Sequence, residues 1–391
     1  MNKHLKILVF FFVIAFFVTT AIAQSNDDIK LANQYYNNKE YDKALVYYEK
    51  LFNATKSEVY YERLLNCYIE LAAFKDGEKM VKRQLKRNEN QLYLYTDLGN
   101  LYDISNQPSK SKQTYEKALK LVSPKQQQVI ALANGYLKYQ QLDYAISTYQ
   151  KGQKLLKGAY PFNFELAQVY YTQGKTEEML KEYLALLDYQ ESYIQSVQNA
   201  LQTTLVEGEN ALLKSLLIKR VQKNAAKVVF SEMLIWVYVQ EKNFSGAFIQ
   251  AKALDKRQNE GGKRIMNLAS LSAKNKDYEA AIKCYEYIAD MGRGTPYYTR
   301  AKMEMVDVYN KKIIASNYTQ EDLIALGNAY QTTIDELGKT AETAVLMNGL
   351  AHLKAFYLQD VEAAKLLLNA TINIPRIKPH DKAKSKLELG D

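Results

Sequence analysis

The sequence predicts an all-α protein, a right-handed α-solenoid of repeated antiparallel helix pairs. Three observations predict it: a tyrosine-bearing hexapeptide that returns about every 34 residues, a second tyrosine set thirteen residues behind it, and turn-forming residues in register between the two.

The chain opens with a segment to set aside before the fold is read. Lys3 and Lys6 give a basic start, Ile7 to Val18 is an unbroken apolar run, and Ala21-Ile22-Ala23 supplies small residues at a cleavage site, so residues 1–23 read as a signal peptide. The apolar run is shorter than the ~20 residues of a membrane-spanning helix. An exported chain is expected, in the periplasm or cell envelope of a Gram-negative-type bacterium. Removing the leader takes two lysines from 52 basic residues and leaves 43 acidic ones, so the remaining 368 residues carry +7. Spread so thinly, that charge permits association with an anionic envelope surface. No basic run interleaved with aromatics points to nucleic acid. KMVKRQLKR at 79–87, the densest basic cluster, reads as the solvated face of a helix.

The period is carried by LANQYY (31–36), LLNCYI (64–69), LGNLYD (98–103), LANGYL (132–137) and LAQVYY (166–171). Their tyrosines, Tyr35, Tyr68, Tyr102, Tyr136 and Tyr170, stand 33, 34, 34 and 34 residues apart. Thirteen residues later come Tyr48, Val81, Tyr115, Tyr149 and Tyr183. Small residues lie three or four positions away on the same helical faces: Ala32, Gly99, Ala133 and Ala167 in the first helices, Ala44, Gly77, Ser111 and Ala145 in the second. Each unit then offers ridges of alternating large and small side chains that let helices approach closely. Asn37-Asn38-Lys39, Ser105 to Pro108, Gln140-Gln141 and Gln173-Gly174-Lys175 mark the turns, with Pro108 where a helix opens and no amide is needed.

This pattern resembles the tetratricopeptide repeat family, most closely over 24–190, where five regular units are counted. The resemblance implies packing roles for small residues at the eighth and twentieth positions and large ones at the eleventh and twenty-fourth. On that basis Tyr35, Tyr48, Tyr68, Gly99, Tyr102, Tyr136, Ala145 and Tyr170 are repeat-packing residues, as are Tyr238 and Ala281 further on. Tyr36 and Tyr47 lie off the packing face.

Beyond 190 the pattern loosens. Residues 191–227 form a degenerate helical unit with Thr204 and Leu217 in the tyrosine places. Two further units occupy 228–290, two divergent helix pairs 291–374, and 375–391 reads as the start of a further repeat, truncated, because Leu389-Gly390-Asp391 matches the Leu-Gly-Asn of 98–100.

Catalytic patterns are absent from this reading. His352 and His380 lie apart with no nucleophile at matching spacing, Ser109 and Lys112 sit in a repeat turn, and Gly292 and Gly294 lack the strand and lysine of a phosphate loop. Cys67 and Cys284, six repeats apart, are expected as buried free thiols. No metal and no cofactor is expected. What remains is a groove along the first helices, whose ninth positions read Asn33, Asn66, Asn100, Asn134 and Gln168. Side-chain amides at one per repeat can donate to and accept from an extended peptide backbone whatever its sequence. Four residues earlier stand Ile29, Glu62, Thr96, Ile130 and Phe164. The lysine by which carboxylate-gripping relatives of the family hold a chain terminus is missing there, and Ile130 and Phe164 point instead to apolar pockets, flanked by Tyr36, Leu137 and Tyr171. The expected function is a non-catalytic scaffold or adaptor holding a segment of a partner protein in that groove. A glycan or polyanion binder at the envelope surface is the alternative.

Overall fold

The computed structural model describes residues 26–206 and 208–391, so the leader lies outside the described residues. The described residues are helical with no strand, and they divide into two compact units, one ending at Tyr189 and one beginning at Gln190.

The first unit is five helix pairs: α1 (26–37) with α2 (Tyr41–Thr55), α3 (Glu58–Glu70) with α4 (Phe74–Arg87), α5 (Leu94–Ile104) with α6 (Pro108–Leu121), α7 (Gln126–Lys138) with α8 (Leu142–Leu156), and α9 (Asn163–Thr172) with α10 (Thr176–Tyr189). One turn joins the helices of every pair. The second residue after each first helix adopts the left-handed conformation: Lys39, Ala72, Asn106, Gln140 and Gly174, with φ between 52° and 69°. The next amide then bonds back to the carbonyl of the repeat tyrosine, as from Glu40 to Tyr35 at 2.8 Å, Gln107 to Tyr102 at 2.8 Å and Lys175 to Tyr170 at 2.9 Å. With the companion bond from Lys39 N–H to the Tyr36 carbonyl at 3.0 Å, this is a Schellman termination, which satisfies carbonyls the helix end would leave open.

The second-helix ring set forms the core. Tyr48, Val81, Tyr115, Tyr149 and Tyr183 are all buried. They reach the next pair as well as their own, with Tyr48 against Tyr60 at 6.3 Å and Tyr149 against Phe162 at 5.6 Å between ring centroids. The small residues are indispensable to this packing at Gly99, where a Cβ would stand 2.1 Å from the Tyr115 ring. Ala145 and Ala281 are buried as expected, and so are Tyr102 and Tyr136.

The other first-helix tyrosines pack against the core from its edge. Tyr35, Tyr68, Tyr170 and Tyr238 are only half-buried. Tyr35 completes its packing on the surface by stacking on Tyr47 at 5.7 Å, beneath the Lys43 ammonium.

The second unit holds α11 (Ile194–Thr204), α12 (Asn210–Lys223), α13 (Val228–Gln240), α14 (Phe244–Gln258), α15 (Lys263–Lys274), α16 (Tyr278–Asp290), α17 (Tyr298–Ile314), α18 (Gln320–Leu337), α19 (Ala344–His352), α20 (Val361–Ile372) and α21 (Pro379–Gly390). Side-chain caps start several of these helices, with Asn243, Asp277 and Asp360 each accepting from a backbone amide of the first turn. Thr319 and Asp322 form a full capping box at the start of α18. Leu217 and Thr204, which replace the tyrosines of the degenerate stretch, are buried. Residues 375–391 end in α21, which is bound to α19 through Ser385 Oγ–H donating to the Asn348 side-chain carbonyl at 2.6 Å.

Candidate functional site

The amide row lies on the first helices of the first unit, and its five members fall into two classes. At the ends the amides serve the fold. The Asn33 side-chain carbonyl accepts from the Tyr48 hydroxyl at 2.8 Å, and the Gln168 amide donates to the Tyr183 hydroxyl. Fifteen residues separate both pairs, so the tyrosine of the second helix reaches back to the amide of its own first helix. Asn66 donates to the Tyr36 hydroxyl, and Tyr36 is further engaged by Tyr41, Tyr48 and the Arg63 guanidinium, 4.5 Å from its ring centre. In the middle of the row this pairing breaks. Tyr115 turns its hydroxyl to Asp103 at 3.0 Å instead of to Asn100. Asn100 and Asn134 make no side-chain hydrogen bond among the described residues, and Asn134 is exposed.

The apolar positions divide similarly. Phe164 is half-buried with its ring edge-on to Tyr183 at 5.7 Å, and Ile130 is half-buried against the core of its pair. Tyr171 remains 47% exposed. Open groups on this face are therefore Asn100, Asn134 and Tyr171, while Asn33, Asn66, Gln168, Tyr36 and Phe164 have intramolecular partners.

A charged bridge beside them escaped the sequence reading. Asp97, 2% exposed, accepts from the Tyr61 hydroxyl at 2.9 Å, the Tyr139 hydroxyl at 2.6 Å and the Lys138 ammonium at 3.3 Å. Lys138 also reaches Glu62 at 3.2 Å, on the face where no lysine was expected. Three helix pairs are thus tied by side chains on their first helices. Burial pushes the Asp97 pKa above the ordinary carboxylate value against the pull of Lys138 and the two phenols. Burial alone would lower that of Lys138, but the Asp97 and Glu62 carboxylates outweigh it and hold the ammonium's pKa up. Two carboxylates share the one ammonium of Lys138. The only signal in the sequence is that Asp97 and Lys138 have no charged counterparts of the same sign at the matching positions of neighbouring repeats.

Thiol chemistry has no footing among the described groups. Cys67 and Cys284 are buried and unpaired, with burial raising their pKa values to about 11 and about 12, so little thiolate forms at neutral pH. His352 sits against Phe356 and within 2.5 Å of Glu388 Oε1, near the end of α21, whereas His380 is at the start of that helix. No group of three or more His, Cys, Asp or Glu among the described residues is arranged to hold a metal, and no described helix is long and apolar enough to cross a membrane.

A family model described as tetratricopeptide repeat matches residues 92–121, the pair α5 and α6, and 263–286, within α15 and α16. The chain carries tetratricopeptide repeats. These repeats are protein-interaction modules, and a chain built from them has the architecture of a binding scaffold. No curated protein matches the sequence. Solved structures that resemble this chain include yeast Tom70 at 12% identity, covering 94% of this chain and 95% of that one with a TM-score of 0.30. A tetratricopeptide repeat protein from Parabacteroides merdae ATCC 43184 resembles it at 15% identity, covering 67% of this chain and 98% of the other with a TM-score of 0.26. YrrB, titled a TPR protein with an unusual peptide-binding site, does so at 19% identity over 47% of this chain and 97% of its own, with a TM-score of 0.23.

Proposed function

We propose that this protein is an exported, non-catalytic scaffold of the bacterial envelope that binds an extended segment of a partner protein along the first-helix face of its first unit. The observation that carries the reading is the contrast within the amide row. Asn33, Asn66 and Gln168 are committed to tyrosines, whereas Asn100 and Asn134, adjacent in the row, keep both donors and acceptors open. An extended backbone supplies the complementary groups at a matching place. The Glu62–Lys138–Asp97 bridge beside them ties three first helices together and holds this face in place. Export rests on the leader-like composition of residues 1–23. The polyanion or glycan alternative has no specific observation in its favour.

Paired substitutions test the binding face. Each amide-to-backbone hydrogen bond contributes about 0.5–1.5 kcal/mol, so N100A/N134A should weaken partner capture from native cells by roughly tenfold while leaving the unfolding curve unchanged. N33A should do the reverse, destabilising the fold through the orphaned Tyr48 hydroxyl and sparing capture. Undiminished capture by N100A/N134A would remove the row from the account.

A further inference from the structure

A cleft of about 220 Å³ opens in the first unit where α2 and α4 end and α3 and α5 begin. It shares no residue with the amide row. Its size restricts what can enter. A cavity of about 150 Å³ holds a benzene molecule, whereas whole drug-sized ligands occupy about 300–1,000 Å³. One side chain or one chain end is the matching guest.

The lining sets the chemistry. Gln84 is 7% exposed and lines the cleft, yet its side-chain amide has no hydrogen-bond partner among the described residues. Its amide therefore remains free to bond a guest that enters the cleft. Two cations and one carboxylate stand at the opening. Lys56 caps its own helix end, donating to the Asn53 carbonyl at 2.7 Å, and Glu58 is engaged by the Tyr93 phenol. Arg87 makes no ion pair among the described residues, so its planar guanidinium fork is the uncommitted charge. Phe52 and Tyr61 supply ring walls, and Tyr61 is fixed in place because its hydroxyl is bound to Asp97 at 2.9 Å. One surplus positive charge beside Glu58 suits a monoanion better than a phosphate dianion.

We propose that this cleft receives a single carboxylate-bearing group of a partner chain, with Arg87 pairing the carboxylate, Gln84 bonding the adjoining amide, and Phe52 and Tyr61 packing on the methylenes. The carboxylate comes from an acidic side chain or from a C-terminus, and the probes below separate the two. The site stands independently of the amide row.

Saturation-transfer difference NMR on the full chain tests it with three probes: N-acetyl-glutamate methylamide, N-acetyl-leucine with a free carboxylate, and N-acetyl-glutamine methylamide as the neutral isostere. Saturable transfer is expected for a carboxylate probe, with the isostere about fivefold weaker or worse and R87Q reducing carboxylate binding by about the same factor. K117Q, on the surface of α6, should leave it unchanged, as should N100A/N134A. Preference for the glutamate probe assigns an acidic side chain, and preference for the leucine probe assigns a chain end. Equal binding of the isostere, indifference to R87Q, or no transfer from any probe would overturn the proposal.

Discussion

Gly99→Ala adds one methyl group at the tightest helix contact of the first unit. Its Cβ would lie 2.1 Å from Tyr115 Cε1, 2.5 Å from Cδ1 and 2.6 Å from Cζ. Ordinary contact begins near 3.4 Å, so ring or helix must shift by more than an ångström. The ring has nowhere easy to go: Tyr115 is 2% exposed, packs on Tyr136 at 5.6 Å and Tyr144 at 5.3 Å, and bonds Asp103 at 3.0 Å. Overpacking costs about 1–3 kcal/mol, and a lost hydrogen bond about 1 kcal/mol. Alanine returns about 1 kcal/mol of helix propensity. The net expectation is a loss of roughly 1–3 kcal/mol, read as a lower urea midpoint for the transition of the first unit by circular dichroism. The mechanism is checked by repeating the change in a Y115A background, where the clash is gone and only propensity remains. There Gly99→Ala should be neutral or stabilising by up to about 1 kcal/mol. An equal loss in both backgrounds would refute the ring contact as its cause.

Two further predictions concern the turns and the bridge. Ala72 holds φ at 52°, a conformation that costs a non-glycine residue about 1–2 kcal/mol, while glycine forfeits about 0.5–1 kcal/mol of chain entropy. A72G should therefore raise the urea midpoint by the equivalent of roughly 0.5–1 kcal/mol, and a fall would contradict the turn assignment. Because the folded pKa of Asp97 is raised, the native chain binds that proton more tightly than the unfolded one, and the associated stability is lost as pH rises from the ordinary carboxylate value through the raised one. The stability difference between wild type and D97N should thus move in favour of wild type on acidification from pH 7 to the ordinary carboxylate value of about 4. Movement the other way would show that the phenols and Lys138 prevail over burial.

The periodic part of this molecule was legible because it repeats. Five copies of one hexapeptide located the five pairs of the first unit, and the positions of Tyr48, Tyr115, Tyr149 and Tyr183 pointed to their burial. The turns were less legible, since only Gly174 announces the left-handed residue that Lys39, Ala72, Asn106 and Gln140 also adopt. The equal spacing of Tyr35, Tyr68, Tyr102 and Tyr136 did not reveal that the first two are half-buried and the last two buried, because the side chains around each differ from repeat to repeat. What a period cannot reveal is a contact between positions that differ from repeat to repeat. Lys138 meets Asp97 across 41 residues and Glu62 across 76, and Gln84 and Arg87 belong to a cleft for which the other repeats gave no pattern. The split of the amide row into bonded and open members was hidden for the same reason, since it turns on Tyr115 choosing Asp103.

The measurement that tests the central claim most directly is site-specific photo-crosslinking in native cells, with a photoreactive residue replacing Asn134, and a second chain carrying it at exposed Lys154 of α8, followed by mass spectrometry of the products. The account predicts a discrete partner protein captured from position 134 and not from 154. Equal capture from both positions, or none from 134, would contradict it.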